Sequence, residues 1–206
     1  RLVNGQWMYD RMMSPTKWNS GNADKPGVYF DEENRRHLNS IRSAYASAAL
    51  NLASHDKKDQ ARKLLERCDQ MMDQGNFPYG MVSRFQEHNS ISMGMLQACY
   101  FSDDTVLAKK IIKSLKKDLE QQLNYYANLD ASQQDAFDYV VDSRGRKGGD
   151  KNEAEDLLAQ IQMLEAEMFG GKKKDVQGVI QTPPIDTTVK KAEAPKKPDS
   201  NKPKTK

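Results

Sequence analysis

The sequence predicts an all-α fold, with antiparallel helical hairpins stacked against one another and a capping C-terminal helix. Two observations lead there. Apolar residues recur at spacings of three and four through successive segments, the period of one face of an α-helix. Between those segments lie short clusters of Asp, Asn, Gly, Pro and Ser, residues that cap and stop helices.

The N-terminal segment, residues 1–36, opens with a short helix or turn rich in Met and aromatics, GQWMYDRMMS, followed by the loop PTKWNSGNADKPG. Trp7, Met8, Met12 and Trp18 are costly to leave in water, so this segment is expected to fold back onto the helices that follow. Asp31 precedes a long periodic stretch, where its carboxylate would accept free N–H groups of a first turn. Glu32 and Glu33 then fall at the positive end of the helix dipole, a placement that stabilises by a few tenths to about 1 kcal/mol.

Residues 37–130 carry the two predicted hairpins. Leu38, Ile41, Tyr45, Ala48, Ala49 and Leu52 share one face; SHDKKD breaks the pattern; Ala61, Leu64, Leu65, Cys68, Met71 and Met72 form the next face. Gly75 and Pro78 end it. A helix from about Arg84 to Tyr100 is expected to turn Ile91, Met95, Leu96 and Cys99 inward, with Asp103 or Asp104 capping its successor. That successor carries Leu107, Ala108, Ile111, Ile112, Leu115, Leu119, Leu123 and Tyr126 on one side and Lys, Glu and Gln on the other. The two units can be laid over the tetratricopeptide pattern, whose second helix needs a small residue at a tight crossing. Ala61 and Ala108 fit that position, although they lie 47 residues apart against about 34 in that repeat. The expected arrangement is a tetratricopeptide-like right-handed array, in which stacking buries apolar faces that no single hairpin can hide.

Residues 131–170 read as C-terminal helices: one over Gln133–Val141 with Phe137, Val140 and Val141 inward, a break at DSRGRKGGDKN, and a last helix from Glu153 to Phe169 carrying Leu157, Leu158, Ile161, Leu164, Met168 and Phe169. Residues 171–206 change to Lys, Pro, Thr and Asp and read as a disordered tail, since such a composition buries too little surface to offset its ordering entropy. The tail holds ten lysines against four acids; with +3 for the whole chain, residues 1–170 carry −3. A slightly acidic body with a basic tail argues against nucleic acid as a partner. For the tail, a solvated extension and an attraction to an anionic membrane surface or another polyanion both stand. No apolar run is long enough to span a bilayer. The chain opens RLVNGQW, without an initiator Met or an apolar leader, and reads as a fragment or a processed chain.

Little in the sequence points to chemistry. His37, His55 and His88 are scattered, none at metal-ligand spacing from a second ligand, and each is expected to be solvated. SRGRKGGD lacks the Lys-Ser/Thr ending of a phosphate-binding loop. The acids at 31–33 belong to a helix start, which favours ionisation, whereas an acid–base pair needs its pKa values pushed apart. No catalytic residue, metal or cofactor is assigned. Cys68 and Cys99 fall on apolar stripes and are expected to be small buried residues; a bridge between helices is the alternative, sustained only in an oxidising compartment. Stacks of this kind often bind peptides along their first helices, which makes Ser43, Ser47, Leu50 and Ser54 with Ser90, Met93, Gln97 and Phe101 the candidate interaction face; a packing surface for the rest of a larger protein is the alternative.

The stretches MYDRMMSPTKW, NADKPGVYFDEENRRHLNSIRSAYASAALNLASHDKKDQARKLLERC and FPYG together resemble a known family. They are similar to the C-terminal region of large bacterial multi-pass membrane proteins whose membrane half is like that of protein O-mannosyltransferases. The matching positions are Met8–Met13, Trp18, Val28–Asn34, Lys57–Ala61, Phe77–Tyr79 and Leu123–Tyr126, and the likeness fades after residue 130. The resemblance implies a glycosyltransferase whose catalytic acid and lipid-phosphosugar site lie in a membrane half not contained in these residues. It also implies a place at the periplasmic face of the inner membrane. In that reading the chain is non-catalytic, its partner is the membrane half of the same polypeptide or an acceptor protein, and the acids at 31–33 shape a helix. The rival reading is a free-standing tetratricopeptide-like adaptor for protein–protein interaction.

Overall fold

Asn4 opens the first helix: its side chain accepts from the Trp7 N–H at 3.0 Å, and α1 runs Gly5–Met12. Asp31 opens the second, accepting from the Asn34 N–H at 2.8 Å, with Glu32 and Glu33 in the first turn of α2, Glu32–Ser54. α3, Lys58–Gln70, follows the turn 55–57, in which Asp56 takes a left-handed φ of 60°. A 3-10 turn at Arg84–Gln86 leads into α4, Glu87–Ser102. Asp104 caps α5, Thr105–Ala127, by accepting from Leu107 N–H at 3.1 Å, and α6 spans Asp150–Phe169. The computed structural model describes residues 4–16, 18–133 and 149–170, which fall within one compact unit, Arg1–Lys173. Among them the regular structure is entirely helical. The helix expected over 133–141, beyond its first residue, and the tail at 171–206 lie outside the described residues.

Side-chain contacts give the directions of the helices. Tyr45 of α2 reaches Met71 just past the end of α3, so α2 and α3 run antiparallel across their short turn. Arg42 meets His88 and Ser92, and Ala46 lies against Gly94, so α2 and α4 run parallel. Asn89 meets Asp118 and Gln86 meets Gln122, which sets α5 antiparallel to α4. α6 returns antiparallel along α5, with Lys116 bound to Glu165 at 3.1 Å and Lys109 over the Phe169 ring. α1 lies antiparallel on α2: the Gly5 N–H donates to Asn51 Oδ1 at 3.0 Å at one end, and the Tyr45 hydroxyl donates to the Met12 carbonyl at 2.9 Å at the other. A Cβ on Gly5 would fall 2.5 Å from Asn51 Oδ1, so glycine permits this close approach.

The core follows the apolar stripes. Tyr45, Ala48, Ala49, Leu52, Leu64, Leu65, Met95, Leu96, Ile111 and Leu115 are buried, and Ala61 and Ala108 are both fully enclosed. Each large aliphatic side chain hidden in this way stabilises by about 2 kcal/mol. Met12 is buried, and Met8 and Trp18 pack on the core, Trp18 edge-on to Tyr45 at 6.0 Å between ring centroids.

Several expectations need correction. Trp7 does not fold inward: it is 55 % exposed, with the Arg11 guanidinium 4.3 Å from its ring centroid. The fourth helix starts at Glu87, not near Arg84, because Phe85 and Gln86 both take left-handed φ values that end helical geometry there. The last helix starts at Asp150, three residues before Glu153, with both acids favourably in its first turn. Ile91 is only half-buried, while Ser92 and Met93 beside it are buried. The reason is that α4 is enclosed on most of its circumference, packing against α2, α3, α5 and α6.

Candidate functional site

The candidate face on the first helices is only partly present. Ser47, Ser54, Ser90 and Phe101 are exposed, and Ser43, Leu50 and Gln97 are half-buried. Met93 is not on the surface: at 4 % exposure it belongs to the core, on a helix that packs against α2, α3, α5 and α6. The remaining positions carry no charge.

The densest chemistry is internal and centres on Arg42, which the sequence places on the inward stripe of α2 between Leu38 and Tyr45. Arg42 is 1 % exposed. Phe77 and Tyr79 flank its guanidinium, with ring centroids 4.3 and 4.7 Å from the central carbon. Nη2 donates to the Phe77 carbonyl at 2.9 Å; Nη1 donates to the Pro78 carbonyl and to Ser92 Oγ, each at 3.2 Å. Burial pulls its pKa below the ordinary arginine value, with the charges of surrounding acidic groups opposing that pull.

His88, expected in solvent, is buried beside this cation. Its Nε2 stands 2.7 Å from the Pro78 carbonyl, a separation that requires Nε2 to be the donor, so the 3.2 Å contact between Nε2 and Arg42 Nη1 joins two donors aimed at one oxygen. Burial first, and the Arg42 charge second, lower the His88 pKa to about 4, which leaves the ring neutral at pH 7. His88 Nδ1 and Arg42 Nε have no hydrogen-bond partner among the described residues. Compensating charge comes one step removed: the Tyr79 hydroxyl donates to Asp69 Oδ1 at 2.9 Å, and Lys110 holds the same carboxylate at 2.7 Å. Burial, with Asp69 adding to it, pushes the Tyr79 phenol well above its ordinary pKa.

A second polar cluster closes around the 3-10 turn. Asn89 Nδ2 donates to Gln86 Oε1 at 2.7 Å and to Asp118 Oδ2 at 2.8 Å; Gln86 Nε2 donates to Gln122 Oε1 and Gln122 Nε2 to Asp118 Oδ2, both at 2.6 Å. Asn89 Oδ1 takes the Met81 N–H at 3.0 Å, and Ser114 Oγ takes the Gly80 N–H at 2.8 Å. Both clusters spend their polar atoms on fastening residues 77–86 to α2, α4 and α5. Cys68 and Cys99 are free and buried, and burial raises the Cys68 thiol to about 12. Among the described residues no group of three or more His, Cys, Asp or Glu is placed to hold a metal ion, and no helix is long and apolar enough to cross a membrane.

An open groove of about 810 Å³ lies between α5 and α6. It is lined by Lys109, Lys113, Lys116 and Lys117 over Ile112 and Phe169, with Glu120, Gln121, Asn124 and Glu165 completing the wall. Sequence reading took the α5 lysines for an ordinary solvated surface and missed the groove, because only the return of α6 gives that surface a second side. When the chain is compared with family models, curated proteins and solved structures, nothing matches it.

Proposed function

We propose that this chain is a non-catalytic, tetratricopeptide-like helical domain of a membrane glycosyltransferase of the protein O-mannosyltransferase kind. It would lie at the periplasmic face of the inner membrane and brace the membrane half or position an acceptor protein. The observation that carries the reading is where the resembling motifs fall. Met12 accepts from Tyr45, Trp18 packs edge-on to Tyr45, Asp31 caps α2, and Phe77 and Tyr79 flank Arg42, so most of these motifs gather around α2. Motifs spent on one internal scaffold serve shape, and the chemistry then belongs to another part of the polypeptide. The parallel course of α2 and α4, with antiparallel partners following each, supports the repeat reading.

Immunoblotting of the source cells with an antibody raised against this chain tests the proposal. The expected signal is a product far larger than 23.4 kDa, confined to the membrane fraction. A soluble species near that mass would overturn the reading in favour of a free-standing interaction adaptor, which the open lysine-lined groove also suits.

A further inference from the structure

We propose that the groove between α5 and α6 docks an acidic, extended polypeptide segment bearing one large apolar side chain. The proposal is independent of any attachment to a membrane enzyme. Lys109, Lys113, Lys116 and Lys117 follow one stripe of α5, and only Lys116 is engaged in an ion pair among the described residues, with Glu165. Lys113 and Lys117 are exposed and stand one helical turn apart, a rise of about 6 Å. Carboxylates on alternate residues of an extended strand stand about 6.6 Å apart on one side, so the two rows can face each other.

Below the lysines the floor is apolar. Ile112 is almost wholly covered and Phe169 is 36 % exposed, with Lys109 Nζ 5.1 Å from the Phe169 ring centroid. Further along, Gln121 and Asn124 present amides of the kind that hydrogen-bond an extended backbone. From Lys109 to Asn124 the helix rises about 22 Å, the span of about seven extended residues. The apolar contact on offer is narrow, since Ile112 is already covered and Phe169 alone is partly exposed, which suits one side chain of a peptide rather than a bilayer surface. The −3 balance of residues 1–170 likewise opposes a polyanion as large as a nucleic acid, whereas a short peptide meets only the groove, where four lysines outnumber Glu120 and the Lys116-bound Glu165.

The test uses the full chain and a fluorescein-labelled peptide of about seven residues, with Glu at alternate positions and one central Phe, read by fluorescence polarisation at low salt. Saturable binding is expected. K113E/K117E should weaken it by about 10-fold or more and F169A by about 3-fold or more, while K25E/K63E, which changes net charge equally at exposed sites elsewhere, should change it by less than about 2-fold. All these positions are on the surface, and unchanged circular dichroism establishes that each variant folds. Equal losses from both double variants, no loss from K113E/K117E, or no peptide binding would each overturn the proposal. So would binding to phosphatidylglycerol vesicles that K113E/K117E abolishes while the peptide stays free, which would assign the lysines to lipid.

Discussion

Arg42 and His88 share one acceptor: the carbonyl of Pro78 receives a guanidinium N–H at 3.2 Å and the imidazole Nε2–H at 2.7 Å. Two donors converge there, and one is already a cation. A proton added to His88 would place a second positive charge in the same enclosed space, so the folded protein keeps the ring neutral down to pH about 4.

Stability should therefore fall on acidification in a defined window. In the unfolded chain His88 takes up a proton near pH 6.5, and in the folded chain only near 4. Between those values the unfolded state binds more protons, so stability rises with pH and is lost as pH drops from about 6.5 towards 4, by up to about 3 kcal/mol. Urea unfolding measured across pH 4–7 should show this slope in the native chain and a flatter one in H88Q, the difference between the two curves isolating the histidine from the carboxylates.

Replacing Arg42 by Ala should destabilise the fold by about 3–5 kcal/mol. The substitution strips the Phe77 and Pro78 carbonyls of a buried donor and removes the body between two aromatic rings. Arg42→Lys should recover only part of the loss, since an ammonium cannot present the planar fork that reaches both carbonyls and Ser92. Urea midpoints for the two variants check the order.

Gly80→Ala should cost about 2–4 kcal/mol. A Cβ there would stand 2.3 Å from the Ser114 carbonyl oxygen, which is backbone within α5 and cannot rotate aside. Gly21→Ala serves as the contrast: its Cβ would meet nothing within 4 Å, and only its left-handed φ of 59° opposes the change, so a loss of about 1 kcal/mol is expected.

Neither cysteine should react in the native protein. Cys68 and Cys99 are at most 1 % exposed, and burial raises both thiols above their ordinary range. Titration with a thiol reagent at pH 8 should give no signal in buffer and the full signal of both thiols in denaturant; rapid native labelling would count against the packing described for α3 and α4.

The local features of this fold were readable because neighbours in sequence create them. The stripes from Leu38 to Leu52 and from Leu107 to Tyr126, and the caps at Asp31 and Asp104, all rest on residues within a few positions of each other. Arg42 and His88 were not readable in the same way, since their surroundings come from residues 77–79, distant in sequence from Arg42 and brought in by a loop. One signal did exist: an arginine on the apolar stripe of α2. Another marked Met93, because residues 88–102 contain no Asp, Glu, Lys or Arg in a chain that is 30 % charged, the composition of a helix enclosed on most sides. The left-handed pair Phe85 and Gln86 left no mark, since neither residue type prefers that conformation.

The enclosure of α4 bears on how the molecule comes apart. In an open solenoid the end unit can peel away while the rest persists, because each unit leans only on the next. Here a single rod, without Asp, Glu, Lys or Arg from residue 88 to 102, is shared by α2, α3, α5 and α6. Freeing any of them strips cover from the same central helix, so heat or denaturant should dismantle the described body in one concerted step, without a seam at which half of it survives.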